Sequence, residues 1–227
     1  MVDMNPNITH IIYDNDGLLL DTEPFYTAAH QAVAARYGKV FDWSVKSKMI
    51  GLQAENSAAV MIDALQLPLS VPEYLEARKR MLAELFPKSE PLPGAVRLTQ
   101  HLHQSGIPQA VATSSDRYHF DLKLTKHREW FRIFECLVMG DDPEIKHGKP
   151  APDIFLLAAK RMQAPPAHCL VFEDSPAGVA AARAAGMSVV AVPDPHMKDD
   201  AYRDAHQIIR SLDDVDLASW GLPQFKK

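Results

Sequence analysis

Five short apolar runs limit what this chain can fold into: Ile8-Thr-His-Ile-Ile-Tyr13, Ala110-Val-Ala-Thr113, Cys136-Leu-Val-Met139, Cys169-Leu-Val-Phe172 and Val189-Val-Ala-Val192. A strand with one wet face alternates apolar and polar residues, whereas these runs are apolar almost throughout and end in a polar or turn residue. That pattern belongs to parallel strands covered on both faces. Helical patterns lie between them, over Ala95–Gln104, Asp153–Met162 and Ala177–Ala185. The alternation predicts an α/β fold built on a doubly wound parallel sheet.

One stretch breaks the alternation. From about Pro24 to Pro87 only amphipathic helical segments occur, such as Ala54–Leu65 and Glu73–Phe86. In the second, Leu75, Leu82, Leu85 and Phe86 share a face. Pro87, Pro91 and Pro93 with Gly94 then mark the return to the α/β pattern. The expected organisation is an α/β core over 1–22 and 91–227 with a helical cap over 23–90. An insert at a strand's carboxyl end overhangs the place where open α/β sheets bind ligands, and is positioned to act as a lid.

A chain of 227 residues buries a full core without metals or disulfides. Twenty-four Lys and Arg against 29 Asp and Glu give a net charge of −5, which argues against nonspecific binding to nucleic acid or anionic membranes. No apolar run approaches the roughly 18 residues of a membrane span. The two cysteines, Cys136 and Cys169, each lead into a strand and read as buried free thiols. No basic segment precedes the first strand, so the expectation is a cytoplasmic protein, by default a monomer.

The chemistry gathers at strand ends. The first run leads into Tyr13-Asp14-Asn15-Asp16-Gly17. With 19 Asp and 10 Gly, chance supplies Asp-x-Asp-Gly about 0.07 times, a moderate signal that also fits a solvated acidic turn. Two buried, ionised carboxylates so close in sequence need a cation or a shared proton, and a hard dication such as Mg²⁺ meets that need. Glu173-Asp174 ends a second strand, with Ser175 placed to cap the next helix and Pro176 to begin it. Thr113-Ser114-Ser115 ends a third, where hydroxyls and free amides suit phosphate oxygens. Lys149, in Gly148-Lys149-Pro150-Ala-Pro152, is either a phosphate-neutralising group or a solvated turn lysine; His147, which precedes Gly148, could reach the same region but reads first as a residue with no part in the site. The ten histidines show no zinc spacing, and Walker A, Gly-x-Gly-x-x-Gly and Gly-x-Ser-x-Gly motifs are missing.

The order strand-Asp-x-Asp, strand-Thr/Ser, Gly-Lys-Pro, strand-Glu-Asp resembles the haloacid dehalogenase superfamily over nearly the whole chain. Gly17-Leu-Leu-Leu-Asp-Thr-Glu23, Leu65-Gln-Leu-Pro68, Phe120-Asp-Leu-Lys123 with His127, Gly140-Asp-Asp-Pro-Glu144, His147-Gly-Lys-Pro-Ala-Pro-Asp153 and Val171-Phe-Glu-Asp174 are similar to one branch of it. That branch holds small-molecule phosphatases acting on pseudouridine 5′-phosphate, glycerol 3-phosphate and FMN. Asn15 departs from the apolar residue frequent between the two aspartates, a position expected to act through its backbone amide.

The resemblance implies a Rossmann-like core with an all-helical cap, and a phosphatase using Mg²⁺ on a small phosphorylated metabolite. It implies Asp14 as nucleophile and Asp16 as acid and base. Asp14, Asp16, Asp174 and Glu173 become the metal ligands, and Asn15, Thr113, Ser114 and Lys149 the phosphate-binding residues. Cap residues Lys46, Lys48, Gly51, Leu52 and Gln53 are expected near the leaving group. Two alternatives stay open. One is a sugar phosphomutase of the β-phosphoglucomutase type, disfavoured by Tyr26 where that group carries histidine. The other is a non-catalytic phosphate- or metal-binding module.

Overall fold

The five apolar runs, with one short strand added, form a single sheet. The computed structural model describes residues 7–49 and 54–225. Its strands are β1 (His10–Tyr13), β2 (Gln109–Thr113), β3 (Cys136–Met139), β4 (Cys169–Glu173), β5 (Ser188–Ala191) and β6 (Gln207–Ile208), all parallel, in the order β3-β2-β1-β4-β5-β6. β1 is central, with β2 on one side and β4 on the other. Its carboxyl end is therefore the switch point where strand order reverses and a crevice opens. The two-residue β6 has no matching run in the sequence, because a strand so short carries no periodicity.

Among the described residues of the insert after β1 lie four helices: α1 (Glu23–Ala35), α2 (Trp43–Met49), α3 (Ala54–Leu65) and α4 (Val71–Leu85). They bury an apolar cluster of their own, including Val33, Phe41, Val45, Met61 and Tyr74. α4 starts earlier than the apolar spacing indicates because Ser70 and Glu73 form a capping box, in which the Ser70 amide donates to Glu73 at 2.8 Å. Its buried face also differs from expectation. Tyr74, Leu82 and Phe86 are buried, while Leu75 and Leu85 are only half-buried, since this helix packs on two neighbours rather than one. A small second cluster of Ala29, Leu82 and Phe86, joined by Tyr26 and Leu122, ties these helices to the sheet domain.

The remaining helices are α5 (Ala95–Gln104), α6 (Arg117–Lys123), α7 (Asp153–Arg161) and α8 (Pro176–Ala184). Side-chain alternation along the strands divides the core into two layers. Ile11, Tyr13, Val111, Leu170 and Phe172 face Leu98 and Leu102 of α5 and Phe120 of α6. Ile12, Ala110, Ala112, Val171 and Val189 face Phe155 of α7 and Val179 of α8. A register slip of one residue would exchange the layers, so burial on both faces fixes the pairing. Cys169 is buried and Cys136 half-buried, and both thiols are free. Among the described residues no helix is long and apolar enough to cross a membrane.

Candidate active site

Register brings the strand-end groups together. Tyr13 pairs with Phe172 of β4 and with Val111 of β2, so the next residues, Asp14, Glu173 and Ala112, stand level at the sheet edge. The Asp14 amide donates to the Phe172 carbonyl at 3.0 Å, extending the ladder one residue beyond β1. Lys149 reaches across all three strands. Its Nζ donates to Asp14 Oδ1 at 2.5 Å, Glu173 Oε1 at 2.6 Å and the Ala112 carbonyl at 3.2 Å, engaging all three of its hydrogens. It is thus a buried cation within the site and not a solvated turn lysine. Burial alone would lower its pKa, but the carboxylates outweigh that and hold it protonated well above the usual lysine range.

Glu173 is anchored on its other oxygen by the Ser175 amide at 2.8 Å and hydroxyl at 3.0 Å; the same hydroxyl caps α8 by accepting from the Gly178 amide. Asp14, Glu173 and Asp174 each offer a carboxylate oxygen within 4.8 Å of the others. Burial, then repulsion from Glu173, Asp14 and Glu23, pushes Asp174 well above the carboxylate range. Burial also raises Asp14, to about 7, with Lys149 opposing the rise and Glu173 and Asp16 adding to it. Gly17, with φ +74°, lets the turn approach Asp174: a Cβ there would lie 2.4 Å from Asp174 Oδ2. Three converging carboxylates faced by one lysine form a hard, all-oxygen donor set short of positive charge. These residues fit a divalent cation such as Mg²⁺.

Asp16 sits in a separate cage. Its Oδ1 accepts from Thr22 Oγ1 at 2.8 Å and from Lys123 Nζ. Its Oδ2 accepts from Ser115 Oγ at 3.0 Å and Thr113 Oγ1 at 3.2 Å. Burial would raise this carboxyl, but the Lys123 charge and the hydrogen bonds from Lys123, Thr22 and Ser115 hold it below the usual range. Thr113 is buried at the end of β2 and Ser114 beside it is exposed, so the loop presents both an inward hydroxyl and an open face. Asn15 is fully buried, and neither its amide nitrogen nor its side-chain oxygen has a hydrogen-bond partner.

Comparison with known proteins identifies this arrangement. Residues 8–186 match the haloacid dehalogenase-like hydrolase profile. The chain belongs to the haloacid dehalogenase-like hydrolases. Within that family it is 50% identical to (DL)-glycerol-3-phosphatase 2 of Arabidopsis thaliana, over 97% of this chain and 94% of the relative. It is 44% identical, over 96% of each chain, to a Drosophila melanogaster protein named "Probable pseudouridine-5'-phosphatase". The fold matches a haloacid dehalogenase hydrolase, family IA, variant 3, from Entamoeba histolytica HM-1:IMSS, with TM-score 0.80, 23% identity, and 93% and 97% of the two chains covered. As a haloacid dehalogenase-like hydrolase with phosphatase relatives, the chain is a phosphoric monoester hydrolase.

Not every residue named from this hydrolase's sequence meets at the site. Lys46 bonds Thr27 Oγ1 at 2.9 Å and Glu23 Oε2 at 3.1 Å, and makes no hydrogen bond or ion pair with Asp14, Glu173 or Asp174. Lys48 is exposed on α2 and does not join the cluster. Gly51, Leu52 and Gln53 lie outside the described residues. His147 points away: its side chain is 75% exposed and lies 3.7 Å from Asp153. Conversely, Lys123 and Thr22 carry no role in the sequence, and Ser115 only that of a hydroxyl for phosphate, yet all three hold Asp16. The only signal for Lys123 was its place in Phe120-Asp-Leu-Lys123, since a lysine on a polar seven-residue helix otherwise reads as solvated.

Proposed function

We propose that the protein is a Mg²⁺-dependent phosphatase that cleaves small phosphomonoesters through an aspartyl-phosphate on Asp14. The observation carrying this reading is the meeting of Asp14, Glu173, Asp174 and Lys149 at the switch point, with Asp16 caged beside them by neutral and cationic donors. Asp14 Oδ attacks phosphorus, the Asp14–phosphorus bond forms, and the bond to the leaving oxygen breaks as Asp16, which must first lose one of its four donors and take up a proton, passes that proton to the leaving oxygen. Water then attacks phosphorus while Asp16 takes its proton. The acyl-phosphate bond breaks, releasing inorganic phosphate and restoring Asp14.

Asp14, the Asp16 carbonyl, Asp174 and Glu173 would hold Mg²⁺, which supplies charge neutralisation between an anionic nucleophile and an anionic phosphate. Lys149 keeps Asp14 aligned and adds positive charge where the transferring oxygens lie, with Thr113, Ser114 and the Asn15 amide as further donors. The helices over residues 23–90 act as the cap, excluding bulk water from the reacting groups.

The substrate is a sugar, polyol or nucleoside monophosphate. Glycerol 3-phosphate and pseudouridine 5′-phosphate are favoured by the relatives' names and by their coverage of nearly the whole chain. The test is phosphate release with and without Mg²⁺ from glycerol 3-phosphate, pseudouridine 5′-phosphate, FMN, uridine 5′-phosphate and hexose phosphates. Asp14→Asn is expected to fall to background and Asp16→Asn to lose about 10²- to 10⁴-fold. Full activity in either variant would remove the mechanism.

A further inference from the structure

Lys123 is the one buried cation of the site that the proposed chemistry leaves unused. Its side chain has no exposed surface. Burying an ammonium group costs several kcal/mol unless its hydrogens are all engaged, and here they are. Nζ donates to Asp16 Oδ1, to Ser115 Oγ at 2.6 Å and to Tyr26 OH at 3.2 Å. The rings of Phe86 and Tyr26 flank it, with Nζ 4.4 and 5.5 Å from their centroids.

These partners come from two parts of the molecule. Lys123 and Ser115 belong to the sheet domain. Tyr26 is in the first turn of α1, and Phe86 follows α4, so both lie beside the two points where the chain passes between sheet and helical insert. Asp16, meanwhile, already accepts four hydrogen bonds, two on each oxygen. In this arrangement no lone pair remains for a leaving-group oxygen, so one donor must move before the carboxyl can exchange a proton with substrate. Thr22, Thr113 and Ser115 are short side chains fixed by nearby backbone. Lys123 has a long flexible stem, and among the described residues it is the donor to Asp16 whose side chain also bonds a side chain of the insert, Tyr26; Thr22 joins the insert through its backbone, its carbonyl accepting from the Phe25 and Tyr26 amides.

We propose that Lys123 is a positioning residue for Asp16 that makes the carboxylate's orientation depend, through Tyr26, on the placement of the helical insert. The proposal rests on Asp16 being the acid–base group. It assigns Lys123 no contact with substrate. Displacing Tyr26 relative to α6 withdraws one of the three acceptors of Nζ, and the ammonium and Asp16 then settle together in a new position.

Leaving-group chemistry tests this. An alkoxide needs a proton from Asp16 as it departs, whereas p-nitrophenolate does not. The experiment measures single-turnover release of glycerol from glycerol 3-phosphate and of p-nitrophenolate from p-nitrophenyl phosphate, at saturating Mg²⁺. The proteins are the full chain, Lys123→Met and Tyr26→Phe, each with KM and melting temperature. Lys123→Met is expected to slow glycerol release about 10- to 100-fold while p-nitrophenolate release and both KM values stay within about 3-fold. Tyr26→Phe, which deletes one hydroxyl, is expected to shift the same ratio in the same direction by a smaller factor.

Equal losses on both esters, or a raised KM at unchanged rate, would overturn the proposal in favour of a general structural or phosphate-binding role. Unchanged glycerol release in a folded Lys123→Met would also overturn it. If that variant does not fold, Tyr26→Phe decides: an unchanged ratio of the two rates overturns the proposal. A wild-type protein that releases neither product removes the reading of Asp16 itself, an outcome separable from every result on Lys123, and this proposal falls with it.

Discussion

The Glu173 carboxylate lies so close to the Gly178 backbone that a Cβ at position 178 would fall 1.7 Å from Oε1. Glycine there lets α8 begin directly under the carboxylate that Lys149 and Ser175 hold. Gly178→Ala must push Glu173 out of both contacts. A loss of about 1–3 kcal/mol is expected from overpacking, seen as a lower melting temperature together with a weakened Mg²⁺ response. A variant that melts like the wild type would show that the carboxylate moves aside freely.

Mg²⁺ should stabilise the fold, because a ligand that binds only the native state adds free energy by mass action. At about 100 times its Kd the gain is about 2.7 kcal/mol. Asp174→Asn removes one of the mutually repelling carboxylates, so the metal-free variant should be at least as stable as the metal-free wild type while losing most of the Mg²⁺-induced rise. Thermal melts with Mg²⁺ and with EDTA decide this. An equal rise in both proteins would exclude Asp174 as a ligand.

His30 makes the helical insert acid-sensitive. It is buried against Phe41 and hydrogen-bonded to Tyr74. Burial, with the Arg78 and Lys46 charges, pushes it from 6.5 down to about 3. The unfolded chain therefore takes up this proton first. Its contribution is complete above about pH 6.5 and is lost as pH falls toward 3. His30→Gln keeps a hydrogen-bonding group without the ionisation. The wild type should lose about 1.4 kcal/mol per pH unit more than the variant within that window, measured by denaturant titration at several pH values. Parallel pH profiles would refute it.

Asn15 is a buried amide with neither polar atom partnered, at a cost of about 1–3 kcal/mol. Asn15→Leu has nearly the same shape and keeps the backbone amide. It is expected to raise the melting temperature by several degrees, at roughly 2–4 °C per kcal/mol for a chain of this size, with turnover retained. A lower melting temperature would mean that the amide has a partner in solution.

Some of this protein could be read from residues adjacent in the chain. The apolar runs predict the parallel sheet, because burial on both faces leaves few polar positions and puts them at the strand ends, as with Gln109 and Ser188, and β1 to β5 lie within one or two residues of those runs. Asp14, Asp16, Glu173 and Asp174 were legible because each follows directly on such a run, and parallel strands deliver their carboxyl ends to one edge. Ser175 as the cap of α8 was legible for the same local reason. The seven-residue α6 and the two-residue β6 were not, since both are too short for a period to rise above composition.

What tertiary structure alone decided is how the charges pair. Asp14 with Lys149 spans 135 residues, and Asp16 with Lys123 spans 107. Whether each lysine is a solvated turn residue or a buried cation depends on the desolvation and the carboxylates it meets. Those partners arrive only when β1, β2, β4 and the insert are packed together. The sequence by itself determined that acidic groups would stand at the end of the central strand. Packing decided that one of them shares its lysine with Glu173 and that the other is held by a lysine bonded to the helical insert.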